Sequence, residues 1–151
     1  MNYWLMKSEP RVYSINNLER DRETIWEGVR NYQARNYLSQ MKKGELAFFY
    51  HSNIIPPGII GLMRVVTCEV ADPTQFDPNS QYYDPKSSPQ SPRWHTVQVE
   101  FVEVFPSIVS LERLKQEFSE QELGLVRRGN RLSVMPVVEA VARKIMAMAY
   151  F

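Results

Sequence analysis

The sequence contains few of the residues on which metal sites and disulfide frameworks depend. Its 151 residues include one cysteine, Cys68, and two histidines, His51 and His95. One thiol excludes an internal disulfide and a zinc site built on cysteines, and two histidines argue against a histidine-rich metal site. The chain also lacks a glycine-rich phosphate loop. We therefore predict a protein that has no metal ion and no other cofactor.

Long apolar runs and a large net charge are absent as well. No segment reaches the roughly 20 apolar residues that span a bilayer, and the first ten residues do not resemble a signal peptide. These absences predict a reducing compartment, either the cytoplasm of a bacterium or the nucleus of a eukaryote, and no membrane partner. The formal net charge is only +1, from 18 basic and 17 acidic residues. Any binding of nucleic acid must then rest on local patches and a specific pocket.

Length and patterning predict a single α+β domain over residues 1–151, with a bent, largely antiparallel, partly closed barrel and flanking helices. Strands are predicted at 3–6, 45–51, 59–71, 94–105 and 131–134. Helices are predicted to begin after the capping residues Ser14, Asn31, Ser110 and Ser119, and at Pro136. The hydrophobic face of the fourth strand switches near Val102, which predicts a β-bulge. Residues 72–92, rich in proline and serine, form a long loop of the functional or mobile kind.

Aromatic and polar residues cluster at the predicted strand ends and turns. Aromatic residues make up 12% of the chain. A recognised nucleobase needs an aromatic partner for its face and fixed donors and acceptors for its edge, so such clusters suit a base-binding pocket. Each cluster also has a structural interpretation: Trp26 is as suited to the core as to a ligand, and His51 is more often a hydrogen-bonded structural histidine than a base.

Several of these stretches occur together in the order typical of one family. They are 3–10 (YWLMKSEP), 26–36 (WEGVRNYQARN), 49–52 (FYHS), 84–86 (DPK), 92–94 (PRW) and 131–137 (RLSVMPV). With this ordered set, which covers almost the whole chain, the sequence resembles the EVE domain family of the PUA-like group. The resemblance implies a PUA-like fold and a non-enzymatic protein that binds a nucleic acid bearing a modified base. Modified cytosine in DNA is the leading expectation, and RNA is the other.

By the same resemblance, eleven residues are expected to build the pocket. They are Lys7, Ser8, Trp26, Arg30, Asn31, Tyr50, His51, Ser52, Trp94, Arg131 and Ser133. We expect Trp26, with Tyr50 or Trp94, to pack against the base. Ser8, Asn31 and Ser52 would bind its polar edge. Lys7, Arg30 and Arg131 would contact phosphate or an acidic substituent. No residue is assigned a catalytic role.

Two other functions stay open on the sequence alone. The similar ASCH group includes small amidohydrolases that act on modified nucleosides with a lysine and a glutamate, and Lys7 with Glu9 could form such a pair. A protein-interaction module that grips a peptide with the 72–92 loop is the third hypothesis. It predicts an exposed apolar patch and no deep pocket.

Overall fold

The structure, a computed structural model, describes residues 2–150. Its centre is a six-stranded sheet in the order β2-β5-β4-β3-β1-β6. The strands are β1 Tyr3–Ser8, β2 Glu23–Ile25, β3 Leu46–His51, β4 Gly58–Ala71, β5 His95–Ser110 and β6 Val134–Val137. The helices are α1 Ile15–Asp21, α2 Tyr32–Gln40, α3 Leu111–Glu117 and α4 Glu139–Ala149, and short 3-10 turns lie at Pro73–Phe76 and Gly124–Val126. None of the helices in residues 2–150 is long and apolar enough to cross a membrane.

The long antiparallel pair of β4 and β5 bends where the sequence predicts a bulge. Leu62 pairs with Glu103, whereas the next residue, Met63, pairs with Phe101, so the register skips Val102. An extra residue on one strand bends that strand and increases the local twist. The predicted bulge at Val102 is confirmed, and its signal was the switch of the hydrophobic face.

The sheet stays open within residues 2–150. The α+β class is confirmed, but the sheet ends at β2 on one side and at β6 on the other instead of closing even partly into a barrel. One strand pair is parallel: β1 lies beside β3, with Ser8 opposite His51 at their carboxyl ends. Helices pack on both faces of this open sheet, α3 and α4 on one and α1 and α2 on the other.

Two hydrophobic cores lie on opposite faces, as the alternation of side chains along β1 and β3 requires. Leu5 and Phe48 belong to the core that also contains residues of α3 and α4. Met6 and Phe49 belong to the core formed with α1 and α2. Helices α1, α2 and α3 begin where expected, since Ser14, Asn31 and Ser110 each accept a hydrogen bond from a backbone N–H of the first turn.

The C-terminal part departs from the predictions. The last strand covers Val134–Val137 instead of 131–134, and Pro136 lies within it rather than at the start of a helix. An edge strand tolerates proline because one of its sides has no partner strand. Ser119 and Glu122 form the predicted reciprocal cap, but it closes a turn and not a helix.

Gly61 provides a test of how tightly β4 packs. A Cβ atom at this position would lie 2.6 Å from the Glu103 carbonyl oxygen and 2.8 Å from Cδ1 of Ile15. Because the first contact is with backbone, Gly61→Ala should lower the free energy of unfolding by about 2 kcal/mol. Chemical denaturation measures the change. Gly124→Ala is the matched control, since its Cβ would meet only the Asn130 amide at 3.9 Å. Equal stability of the two variants would contradict the interpretation.

Candidate functional site

A cleft of about 1010 Å³ lies at the carboxyl ends of β1 and β2 and beside the residue that follows β3. Its walls come from five parts of the chain. The lining residues are Lys7, Ser8, Glu9, Arg11, Val12, Tyr13, Thr24, Ile25, Trp26, Glu27, Gly28, Val29, Arg30, Asn31, Ser52, Thr74, Ser80, Gln81, Tyr82, Arg131 and Ser133. A volume of this size is at the upper end of the range for small-molecule sites.

Eight of the eleven predicted site residues line this cleft. They are Lys7, Ser8, Trp26, Arg30, Asn31, Ser52, Arg131 and Ser133. The other three, Tyr50, His51 and Trp94, do not line it. The grouping brings together residues that are up to 126 positions apart, from Lys7 to Ser133.

Trp26 lies between the core and the cleft. Only 6% of the residue is exposed, and its ring meets Phe49 edge-on, with 5.4 Å between the ring centroids. Its backbone is fixed by a hydrogen bond to the Val97 carbonyl and another from the Thr96 hydroxyl. Within residues 2–150 no side-chain nitrogen or oxygen is both buried and unpaired, and the indole N–H of Trp26 has no partner there. That N–H is therefore not fully buried, and Trp26 is one of the residues that line the cleft.

The segment after Trp26 is held by close backbone packing. Gly28 has a φ of +87°, and a Cβ atom there would lie 2.6 Å from the ring of Tyr82. Glycine is therefore required both by the left-handed backbone and by the ring above it. Asn31 caps α2 by accepting a hydrogen bond from the Ala34 N–H at 2.9 Å. The exposed amide NH₂ of Asn31 has no partner in the described chain.

Arg30 and Asp72 form a partly buried ion pair at one wall of the cleft. Arg30 Nη1 lies 3.0 Å from Asp72 Oδ2, and 2% of the Asp72 side chain is exposed. The remaining N–H groups of Arg30 donate to the carbonyls of Val29 and Tyr82 and to the Thr74 hydroxyl. All five guanidinium donors are then used within the protein. Arg30 consequently has none free for a phosphate, and it holds the wall in place.

Asp72 is kept ionised by the groups around it. Burial by itself would raise the pKa of Asp72, but hydrogen bonds from Thr74, the Gly28 N–H and Arg30 outweigh that effect and lower it below its usual value. The carboxylate accepts from Thr74 N–H and Oγ1 through Oδ1, and from Gly28 and Arg30 through Oδ2. Four hydrogen bonds thus satisfy one buried carboxylate.

Trp94 has no free face for a base. It is 6% exposed, and Tyr32 stacks on it with a centroid distance of 5.3 Å and an interplanar angle of 15°. The guanidinium groups of Arg30 and Arg35 lie over its ring at 5.1 and 5.5 Å. Its indole N–H donates to Asp84 at 2.8 Å. Trp94 therefore anchors the 72–92 loop instead of contacting the cleft.

Gln75 attaches the same loop to the sheet. It is fully buried, and its amide NH₂ donates to the carbonyls of Asp72 and Trp94 at 2.8 Å each. Its amide oxygen accepts from the backbone N–H groups of Arg93 and Trp94 and from the Ser87 hydroxyl. The long loop is therefore an ordered wall that carries Ser80–Tyr82 to the cleft.

Tyr50 and His51 have structural environments. Burial raises the pKa of Tyr50 to about 12, and its ring belongs to the core on the α3 and α4 face. His51 Nε2 accepts a hydrogen bond from the Ile15 N–H, at the start of α1, over 3.2 Å. Burial also lowers the pKa of His51, which favours the neutral ring that this acceptor role requires.

Lys7, like Arg131, lines the cleft and has no anionic partner in the described chain. Among residues 2–150 it forms no ion pair, and its Nζ lies 5.8 Å from the centre of the Tyr50 ring. Burial lowers the pKa of Lys7. Glu9, the partner that a lysine–glutamate hydrolase would need, instead lies 3.4 Å from Arg11 and accepts from the Asn53 amide at 3.3 Å.

The eleven predicted site residues leave out three residues that shape the cleft. Glu27 lines it, and burial together with the nearby Asp72 charge raises the pKa of the Glu27 carboxyl. Tyr82 packs on Gly28, and Asp72 neutralises Arg30. Glu27 could have been found because it stands inside the matching stretch 26–36. For Asp72 the sequence offered only an acidic residue at the end of a long apolar strand.

The chain is an α+β domain with an open sheet and a cleft at its strand ends, and comparison identifies its family. The EVE domain model matches residues 2–148. The chain belongs to the EVE domain family, which confirms the resemblance found in the sequence. Human thymocyte nuclear protein 1 is 46% identical over 125 residues, which are 76% of this chain and 56% of that protein. The chain thus spans about half the length of the curated relatives it matches.

Solved structures share the fold over its full extent. A Pseudomonas putida protein is 48% identical, with a TM-score of 0.93 over 97% of this chain and 99% of the other. Human THYN1 in complex with 5-methylcytosine-containing DNA is 39% identical, with a TM-score of 0.90 over 99% of this chain and 98% of the other. A relative with the same fold therefore binds DNA that carries a modified cytosine.

Removing the charge of Asp72 should destabilise the wall of the cleft that its contacts hold together. In Asp72→Asn the Arg30 guanidinium keeps its charge without a counterion, and the amide NH₂ meets donors instead of acceptors. We expect the free energy of unfolding to fall by about 3 kcal/mol, as is typical when one partner of a buried pair is removed. Chemical denaturation measures this change. Glu139→Gln breaks the exposed Arg143–Glu139 pair and should cost less than about 0.5 kcal/mol. A similar loss in both variants would show that Asp72 has no special role.

His51 should make stability depend on pH in the mildly acidic range. Its folded-state pKa is depressed, so below about pH 6.5 the unfolded chain binds a proton that the folded protein resists. Stability should therefore fall as the pH falls from 6.5 to the folded-state pKa, below which the loss is complete. In His51→Gln, whose amide oxygen can still accept from Ile15, this part of the pH dependence should disappear. Identical slopes of unfolding free energy between pH 7 and pH 5 in both proteins would contradict this assignment.

Proposed function

We propose that this protein binds a modified nucleobase, most specifically a modified cytosine in DNA, in the cleft at the ends of β1 and β2. The observation that carries the proposal is that three residues lining the same cleft carry polar groups with no partner in the described chain: the Trp26 indole N–H, the Asn31 amide NH₂ and the Lys7 ammonium. The human relative whose structure contains 5-methylcytosine DNA shares the fold over nearly the whole chain.

The base edge would be bound by fixed donors and acceptors. Trp26 offers its N–H and little of its face, because only 6% of the residue is exposed. Asn31 and Ser52 add side-chain amide and hydroxyl groups from neighbouring walls. A carboxylate is the acceptor that suits the exocyclic amine of cytosine, and Glu27 provides one inside the cleft. This set favours cytosine over thymine, which has a carbonyl oxygen in place of the amine.

The face of the base would pack against the half-buried aromatic residues of the cleft. Tyr13 and Tyr82 both line it and are both partly exposed. In this proposal they take the stacking role expected for Tyr50 and Trp94, whose rings pack against other residues of the protein. Stacking of a base on an aromatic side chain contributes about 1–3 kcal/mol.

Phosphate contacts would come from Lys7 and Arg131. Lys7 has no counterion in the described chain, and Arg131 is exposed at the cleft. Because all five donors of Arg30 are used by Asp72, Thr74 and two carbonyls, its contribution is to hold the segment from Trp26 to Asn31. Few phosphate contacts imply a weak dependence of affinity on salt.

A fluorescence titration tests the proposal. The protein is titrated with short DNA and RNA oligonucleotides that carry one unmodified, methylated or hydroxymethylated cytosine, at two salt concentrations. We expect a modified DNA oligonucleotide to bind selectively, to quench tryptophan fluorescence and to lose little affinity in salt. Trp26→Phe removes the free N–H while keeping an aromatic ring, so it should weaken binding about tenfold, the value of one hydrogen bond.

Trp4→Phe is the matched control for this experiment. Trp4 is 2% exposed, does not line the cleft, and donates its N–H to Glu45 at 3.0 Å. This variant should retain both the quenching and the selectivity. Binding that ignores the modification and collapses in salt, or equal effects of the two substitutions, would refute the proposal.

A further inference from the structure

The loop that joins β3 to β4 carries an unusual apolar tip. Ile55 is 96% exposed and Ile54 is 44% exposed, and Ile55 is the most exposed of the large hydrophobic residues in the described chain. Pro56 and Pro57 follow at once. A single exposed isoleucine needs no explanation. Two adjacent exposed isoleucines at the tip of a short loop beside the cleft are unusual and call for one.

The loop is attached to the rim of the cleft at its first end. Ser52 lines the cleft, and its N–H donates to the Ser8 carbonyl at 3.0 Å. Asn53 donates to the carboxylate of Glu9, another lining residue, at 3.3 Å. Ile55 is three residues beyond Ser52, so its Cα lies at most about 11 Å from that of Ser52.

The second end of the loop is fixed too. The Pro57 carbonyl accepts a hydrogen bond at 2.9 Å from the N–H of Leu111, the first residue of α3. Proline also restricts φ at positions 56 and 57. The tip is therefore held between two anchored ends, which reduces the conformational entropy that it would lose on binding.

We propose that Ile55 inserts into the base stack of a DNA duplex and occupies the gap left by the base that enters the cleft. This inference rests on the proposed function, because it needs an extruded base. Proteins that kink or open a duplex do so with isolated apolar side chains, isoleucine among them, that unstack one base step. A base that leaves the stack also creates a gap whose filling offsets part of the unstacking free energy.

The size of the apolar tip favours this partner over a protein. Two isoleucine side chains provide far less area than a stable protein interface buries, whereas one base step accepts a single side chain. The cations at the adjacent cleft, Lys7 and Arg131, also suit a phosphate backbone. A membrane surface is the other partner into which an exposed isoleucine could insert, and the experiment includes it.

The test compares duplex with single-stranded DNA of the same sequence, each with one methylated cytosine. Ile55→Ser should weaken binding to the duplex about tenfold and leave binding to the single strand unchanged, because the single strand has no stack to open. A 2-aminopurine placed next to the methylated cytosine reports unstacking. Its fluorescence should rise when the wild-type protein binds the duplex and rise much less with the variant.

Val138→Ser is the matched control. Val138 is 61% exposed and follows β6 directly. There the antiparallel pairing places Val137 beside Tyr3, at the end of β1 remote from the cleft. This variant should bind both DNA forms as the wild type does. Both changed residues are mostly exposed, so neither variant should unfold at a lower temperature than the wild type. Val138 is the N-cap residue of α4 and makes no capping hydrogen bond, so serine at this position should raise the unfolding temperature slightly.

The outcomes separate this inference from the proposed function. Suppose that the wild type prefers methylated DNA, but Ile55→Ser either binds the duplex normally or binds duplex and single strand equally weakly. The insertion of Ile55 is then refuted, and the base-binding function stands. If methylation has no effect but Ile55→Ser still weakens binding to the duplex alone, the selectivity for a modified base is refuted and the insertion of Ile55 into the duplex stands. Ile55-dependent binding to anionic phospholipid vesicles, with unchanged duplex binding, would assign the tip to a membrane and overturn the proposal.

Discussion

The ion pair between Arg30 and Asp72 is the constraint on which the candidate site depends. It connects two segments that are more than 40 residues apart, the turn after Trp26 and the start of the 72–92 loop. Because both charges are largely removed from water, each is stable only while the other is in place. The Gly28 N–H, the Thr74 hydroxyl and the Tyr82 carbonyl complete the network. The shape of the cleft is thus set by electrostatics as much as by hydrophobic packing.

This network explains why few polar groups remain for a ligand. The aromatic and cationic residues near the cleft mostly contact one another: Trp94 with Tyr32 and Arg35, and Arg93 with Asp84. Such contacts rigidify the wall and leave only a small set of unpaired groups in fixed positions. Preorganised groups lose little entropy when a ligand binds, so a small number can provide selectivity.

Local features of the sequence predicted more of the fold than of the site. Asn31 and Ser110 cap helices where expected, because capping depends on the few residues that follow. Local sequence predicts a helix start at Pro136, and this prediction is wrong. Pro136 lies in an edge strand that pairs with β1, and the neighbouring residues do not reveal that distant pairing. For the site, residue type indicated Arg30 and Trp94 but could not show that their partners are within the protein. Those partners, Asp72 and Asp84, are 42 and 10 positions away in the sequence.

The near-neutral charge and the apolar tip at Ile55 together suggest how selectivity arises. A protein with a net charge of +1 gains little from general attraction to phosphates, so opening the stack must be offset by groups at the site itself. Under the proposed function, unstacking would cost free energy for every base, whereas binding in the cleft would offset that cost only for a base whose edge matches Trp26, Asn31 and Glu27. A side chain that fills the gap lowers the cost equally for all bases. The tip would then set how readily duplex is opened, and the cleft would determine which base remains bound.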